Sequence, residues 1–393
     1  MVDQPATEDR TSALMGRLDD GLEQGLTLVT AKAVLGLLER GVSAGAVVQR
    51  GVAFGTRHRS QGWGAGLTVL VAMANLLPHL DVSDRALALV HGLAFVSRDT
   101  VGRPDRFPLR PLDGPGVAAD RLSSWYRRFI DTRTSDGAER ALATAIAAAE
   151  PDAVEQMMFT AATDHVFLDG GHTLDFTNKA FEALDHLGWE AAADVLPSLV
   201  QQTATARRHE EEGAWRHPYD LAALASLAAS RLEAMDRGDG VSEDAVESLA
   251  WGLLEDGEPD RSLDALFDAL SAGATPEQIG RAVALAAGLR ITRFHIQNDH
   301  ADWNVVHHGF TYANAVHQAL VRNPSRELLR GAVHGALKVY LDRFLNVPAA
   351  RLPAAAGEKD LSLLQTCWDE QGQVDRAGAI VYRWVREGGD PAA

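Results

Sequence analysis

Val154 to Leu187 reads VEQMMFTAATDHVFLDGGHTLDFTNKAFEALDHL, and the fold class turns on this stretch. Its apolar residues recur at helical spacing without a period-two alternation, so the pattern predicts helix over most of its length, entered from Pro151. Gly170-Gly171 stands in the way, because each glycine costs a helix roughly 1 kcal/mol. The helix therefore either breaks there or passes close to a ligand or another backbone. Around the glycines lies Asp164-His165-Val166-Phe167-Leu168-Asp169-Gly170-Gly171-His172, a pattern of the form Asp-His-x-x-x-[Asp/Asn]-x-x-His. It recurs as Asp299-His300-Ala301-Asp302-Trp303-Asn304-Val305-Val306-His307, with His308 directly behind it. The offset is 135 residues (300 − 165 = 307 − 172). Both copies continue through a Phe-Thr pair, Phe176-Thr177 and Phe310-Thr311, the second one residue out of register. Positions i, i+4 and i+7 of a helix share a face, so each copy is expected to turn two imidazoles and an oxygen ligand toward one interior point.

Working outward, the rest of the chain repeats the helical period between short Gly, Pro and Asp punctuation. Leu28, Ala31, Leu35 and Leu38 form one face that stops at Gly41, and Leu67 to Leu77 is apolar on nearly all sides. Further helices are expected over Ala191–Thr205, Leu221–Met235, Ser242–Leu254, Ser262–Leu270, Pro276–Thr292, Trp303–Leu320, Ser325–Phe344, Leu361–Asp369 and Val374–Arg386. Thr275-Pro276-Glu277 and Asn323-Pro324-Ser325 are helix starts. Residues 99–117, with four prolines, are long enough to be a functional loop or a lid. The expectation is an all-α, compact multi-helix fold with a central metal-binding cavity. It would comprise a flexible N-terminus (1–17) and one catalytic domain (18–393), or two pseudo-related halves (about 18–205 and 206–393).

Composition narrows the function. The chain has 393 residues, 46% of them hydrophobic, enough for a sizeable core. A formal net charge of −17 argues against nucleic acid and against anionic membrane surfaces. No run of about 18 apolar residues predicts a membrane span, and the polar N-terminus does not read as a signal peptide, so the cytoplasm is the expected location. Cys367 is the lone cysteine, which excludes Cys-based zinc and iron–sulfur sites and leaves His, carboxylate and other N/O ligands for any metal. No phosphate-cradling Gly-rich loop follows a strand. Gly41-Val42-Ser43-Ala44-Gly45 has the letters of a nucleophile elbow but sits after a helix rather than a strand, so Ser43 is expected to cap the next helix.

The candidate metal ligands are His58, His165, Asp169, His172, His300 and His307. At about 1.5 Å rise per residue, residues seven apart stand about 10.5 Å apart along a helix, and residues three apart about 4.5 Å. The pairs Asp169/His172 and His165/Asp169 are thus the better chelating units. The remaining histidine would be a third ligand, a proton shuttle or an outer partner. Asn304 replaces the anion in the second copy, which favours one asymmetric ion site, with the first copy as chelator and His307 and His58 completing it. His58 qualifies through its place before the Gly62-Trp63-Gly64 turn; His79, His186, His209 and His317 read as surface or helix-end residues. Asp164, Asp169 and Asp299 could orient imidazoles or ligate. Asp164, Tyr312 and Lys338 are the candidate catalytic side chains. Lys338 is one of only four lysines and lies in an otherwise apolar helix, where the alternative is a snorkelling side chain on an exposed stripe. Trp63, Phe159, Phe167, Trp303, Phe310 and Tyr312 are expected to line a dry pocket. The run from Glu210 to Asp220 reads as a charged loop with Trp215 as its anchor.

The order of these features resembles the questin oxidase-like family: His58 with its Gly-rich turn, His165 with Asp169 and His172, the stretch His307 to Ala315, then Lys338. The resemblance implies an all-helical fold holding a non-heme iron through several histidines, in at least one case with a carboxylated lysine, and oxygen-dependent cleavage of polycyclic aromatic rings. The expected function is a non-heme Fe(II) oxygenase using O2 on an apolar or aromatic small molecule, in keeping with His and carboxylate ligands that leave open positions. A homo-oligomer or a redox partner is compatible with it. Two alternatives stand beside it: a Zn2+-dependent hydrolase on the same residues (Mn2+ being a further choice of ion), and a non-enzymatic helical interaction protein.

Overall fold

A computed structural model of the chain describes residues 4–113, 116–148, 150–235, 238–255, 257–295, 297–345, 360–367 and 373–389. The first five helices are α1 (Gln4–Glu23), α2 (Thr27–Glu39), α3 (Ala44–Arg57), α4 (Ala65–Leu76) and α5 (Val82–Thr100). Next come α6 (Ala119–Asp131), α7 (Ser135–Ala148), α8 (Pro151–Thr163) and α9 (His172–Leu187), then the short α10 (Ala192–Val195) and α11 (Val200–Thr205). The remainder are α12 (Leu221–Glu233), α13 (Glu243–Glu255), α14 (Pro259–Ser271), α15 (Pro276–Thr292), α16 (His300–Arg322), α17 (Arg326–Asp342), α18 (Leu364–Cys367) and α19 (Gln373–Arg386). No strand occurs among the described residues, and no described helix is long and apolar enough to cross a membrane. The all-α expectation is borne out.

The start signals behave as their chemistry requires. Ser43 Oγ accepts from Ala46 N–H at 3.1 Å, the cap geometry expected of it. Thr275 and Gln278 form a reciprocal capping box at α15. Asp299 Oδ1 accepts from Asp302 N–H at 2.9 Å. Asp299 is therefore a helix cap through that oxygen.

α17 is the axle of the fold. It packs against α8, α12, α13, α14, α15 and α16, and buries every residue from Gly331 to Tyr340. Small residues at 331, 332, 335 and 336 let its neighbours approach closely. One apolar core runs from Leu18 on α1 to Tyr340 on α17, so both halves of the chain share it.

Two expectations need correction. The helix over Val154–Leu187 is broken into α8 and α9 by a turn at 164–171. There Phe167 (φ 48°), Asp169 (φ 51°), Gly170 (φ 67°) and Gly171 (φ 95°) are all left-handed. Ala191–Thr205 is not one helix but a staircase of 3-10 and α turns stepping around Pro197. Gln4–Glu23 is helical, and Leu18 and Leu22, just beyond the 1–17 segment, are fully buried. The proline-rich stretch is a strap: Arg106 Nη1 and Leu109 N–H both donate to Glu139 Oε1 at 2.9 Å, and Leu112 N–H donates to Thr144 Oγ1 at 2.8 Å. Residues 368 and 369 of the helix expected over Leu361–Asp369 lie outside the described residues.

The Gly62-Trp63-Gly64 turn docks onto the staircase. Trp63 N–H donates to Ser198 O at 2.9 Å, and a Cβ on Gly62 (φ +85°) would sit 1.8 Å from that same oxygen. Gly62→Ala is therefore expected to cost about 3 kcal/mol or more, a backbone clash added to left-handed strain. Gly41→Ala, equally left-handed (φ +81°) with no heavy atom within 4 Å, should cost only about 1–2 kcal/mol. Chemical denaturation of the two variants side by side checks this; equal losses would mean the Ser198 contact does not constrain the turn.

Candidate functional site

The two copies of the motif do not share a conformation. The second forms the first turns of α16, as its pattern predicts. The first is the left-handed turn between α8 and α9, so His165 and His172 stand on opposite sides of a loop and do not share a helical face. Gly171 explains part of this. A Cβ there would meet Tyr312 Cβ at 3.0 Å and Phe167 Cζ at 3.1 Å, so the turn closes tightly under two aromatic rings only without a side chain. Asp169 N–H donates to Arg207 O at 2.8 Å and His209 N–H to Val166 O at 3.2 Å, which lays residues 207–212 against the turn.

What the structure does instead is bring the two copies together. α9 and α16 pack side by side, and they run in the same direction: His172 meets His308 near their starts, and Asp185 meets Arg322 near their ends. His172 and His308 lie edge to face with ring centres 4.5 Å apart and planes at 66°. The partner of His172 is thus the residue after its counterpart in the repeat. His307 is exposed and packs on Trp303, with ring centres 5.6 Å apart. His300 is exposed and lies beside the Asn304 amide at 3.4 Å.

The other expected ligands are engaged elsewhere. His58 Nδ1 pairs with Asp105 at 2.9 Å, and its ring stacks on Phe54. His165 Nδ1 pairs with Glu210 Oε1 at 2.7 Å, while its Nε2 faces Asp131 Oδ1 at 3.5 Å. Glu210 Oε2 also accepts from Val166 N–H at 3.0 Å. Burial acts to raise the Glu210 carboxyl, but the His165 and backbone bonds hold it below its ordinary value. Asp164 is locked between Arg127, which donates twice at 2.7 Å, and Arg330 at 3.0 Å, which leaves it no catalytic freedom. Trp63, Phe159, Phe167 and Tyr312 are packed core, whereas Phe310 is 37% exposed, so the six expected aromatics do not line one pocket.

Behind the histidine pair sits a polar knot that the sequence left mostly unread. Lys338, 7% exposed, forms an ion pair with Asp342, 2% exposed, one turn along α17. Lys338 Nζ also lies 3.5 Å from Val305 O and 5.7 Å from the centre of the Phe167 ring. It is a buried cation, not a snorkelling one. His209, expected at the surface, is buried under Phe167 and Trp215, with ring centres 5.4 and 5.8 Å away. Its Nδ1 is 2.7 Å from Glu212 Oε2, too far off the N–H direction for a good hydrogen bond, and its Nε2 has no partner among the described residues. Tyr312, fully buried, bonds His334 Nδ1 at 3.3 Å, and so turns away from the His172–His308 pair.

Burial makes these histidines poor bases. It lowers His172, against the pull of Asp169. It also lowers His308, helped by His172, Lys338 and His307 and opposed by Asp169. His334 is pushed down to about 3 by burial, while an unfolded histidine takes its proton near pH 6.5. Between these values the unfolded chain binds the proton and the folded chain does not. The stability that His334 contributes is complete above about pH 6.5 and is lost as pH falls toward 3. Asp175, pushed up to about 7 by burial, has the opposite slope. The urea midpoint of the wild type should therefore drop between pH 7 and 4.5 more steeply than that of His334→Gln. Parallel profiles would show that His334 is solvated.

Does this arrangement fit a metal? Among the described residues no three His, Cys, Asp or Glu side chains stand together at ion-binding distance, so the six-residue set and the central metal cavity are not assembled. Two of the required elements are present. An ion about 2.1 Å from each imidazole nitrogen places two ring centres on adjacent positions roughly 4.6–5.3 Å apart, depending on the angle between its bonds, close to the His172–His308 spacing of 4.5 Å. Asp169, exposed on the same turn, is near enough to act electrostatically on both rings. His172, His308 and Asp169 thus match two histidines and one carboxylate in type, and the two rings come close in spacing. No protein-family model, curated protein or solved structure matches the chain.

Proposed function

We propose that the protein is a non-heme iron-dependent oxygenase acting on an apolar or aromatic small molecule, with His172, His308 and Asp169 as the ligand set. The observation that carries this reading is the contact of His172, in the first motif copy, with His308, the residue directly behind the second. Two imidazoles and a carboxylate are the ligand number and type that leave positions open on Fe(II). Such an ion would supply O2 binding and one-electron chemistry that side chains lack.

The chain's own residues prepare the place. Lowered by burial, His172 and His308 keep their nitrogen lone pairs at neutral pH, as ligation requires. Phe167 and Tyr312, with ring centres 4.6 Å apart, wall the turn with aromatic carbon and keep water from its inner side. Lys338 holds a positive charge behind His308 and disfavours protonation of that ring. The proposal keeps the oxygen chemistry that the questin oxidase-like resemblance implies, with a ligand set particular to this chain.

Elemental analysis of protein purified without chelator, joined to O2 uptake with a panel of hydroxylated polycyclic aromatics, tests the reading. About one iron per chain with aromatic-dependent O2 uptake is expected. Stoichiometric zinc without O2 uptake would replace the oxygenase with a hydrolase, and absence of bound metal would overturn both.

A further inference from the structure

Further along α9 and α16, and bordered also by α4, lies a second feature, an open pocket of about 510 Å3, within the usual volume range for small-molecule sites. With a rise of about 1.5 Å per residue, it is centred roughly 10–15 Å beyond the histidine pair. Its charges are already cancelled. Glu182 accepts from Asn75 Nδ2 at 2.6 Å, Asn178 Nδ2 at 2.6 Å and Lys179 Nζ at 2.7 Å. Arg322 makes a two-pronged pair with Asp185 and reaches Glu155 at 3.5 Å. A charged ligand would have to break one of these pairs.

The amides are not satisfied in the same way. Asn178 is fully buried, and its orientation is fixed because Nδ2 must face the Glu182 carboxylate. That leaves Oδ1 as a buried acceptor with no donor among the described residues. An orphaned buried carbonyl costs about 1–3 kcal/mol; Asn178 belongs to the pocket lining, and a ligand that draws this side chain toward the pocket would supply the missing donor. On the facing helix, Asn314 and Gln318 stand one turn apart and line the same space. Neither amide has a hydrogen bond to another described residue.

We propose that this pocket is a binding site for a neutral, polyhydroxylated small molecule, a sugar or polyol, separate from the histidine pair. Hydroxyl groups both donate and accept, so one ligand of this class can donate to Asn178 Oδ1 and accept from the Asn314 and Gln318 amides. Its neutrality leaves the two ion pairs intact.

Calorimetric titration of the full chain with D-glucose, maltose and myo-inositol tests this, with putrescine and inorganic phosphate as charged probes. At least one neutral probe is expected to bind, and the Asn314→Ala/Gln318→Ala double variant should weaken it at least tenfold without a change in thermal midpoint. Asn178→Ala should also abolish binding, but the surface double variant decides the matter if that protein does not fold. His308→Ala should bind the neutral probe as the wild type does, which keeps this result independent of the iron reading. Failure of all three neutral probes at millimolar concentration, equal binding to the double variant, or binding of putrescine or phosphate that the double variant weakens would each overturn the proposal.

Discussion

Lys338→Met is expected to destabilise the folded protein by about 3–5 kcal/mol, the cost of removing one partner from a buried ion pair. Asp342 is 2% exposed, and burial already pushes its carboxyl up against the opposing pull of Lys338. Without the ammonium it must stay charged in a poor solvent or take up a proton. Arg290 also acts on Asp342, but two of its donors are committed to Val339 O at 3.2 Å and Leu254 O at 2.9 Å, and it makes no hydrogen bond to that carboxylate among the described residues. The double variant Lys338→Met/Asp342→Leu removes both charges together and should recover most of the loss. Chemical denaturation of the four proteins measures the coupling. A single variant within about 0.5 kcal/mol of wild type would place the pair in solvent, the usual result for exposed pairs.

On the proposed oxygenase reading, His308→Ala should remove O2-dependent turnover altogether, a larger effect than the 10–100-fold fall that follows loss of an outer partner. His307→Ala should stay within about threefold of wild type. The two residues are adjacent, but each step along a helix turns about 100°, from about 3.6 residues per turn. With His308 facing α9, His307 is carried round to the exposed side, where it rests on Trp303. Retained helical content in both variants, read by circular dichroism, separates loss of chemistry from loss of fold. The neighbouring positions thus form an internal control.

The helices and their caps were legible because they depend on local rules. Ser43, Thr275 and Asp299 cap where their side chains can reach the third backbone N–H beyond them. The repeat was legible as letters but not as geometry. A helical reading of residues 164–172 assumes one backbone period, and two glycines with a left-handed Phe167 and Asp169 cancel it. His308 stood next to the pattern, yet its selection over His307 depends on how α9 and α16 rotate against each other, a tertiary property. His209 gave no periodic signal, since it is buried by a loop tied to the turn through backbone bonds. Asp342 could have been found: a Lys and an Asp four residues apart on an otherwise apolar helix are spaced to pair, and neither is easily buried alone. The amide pocket had no sequence signature, because Asn75, Asn178 and Gln318 come from three helices far apart in the chain.

On the proposed reading, α9 and α16 bring His172 and His308 to one ion. Anaerobic calorimetric titration of Fe(II) into wild type, His172→Ala, His308→Ala and His307→Ala tests it most directly. One ion per chain is expected in the wild type and in His307→Ala, and none in the other two. Full binding by His308→Ala together with loss in His307→Ala would contradict it, and would return the site to the face that the repeat alone suggests.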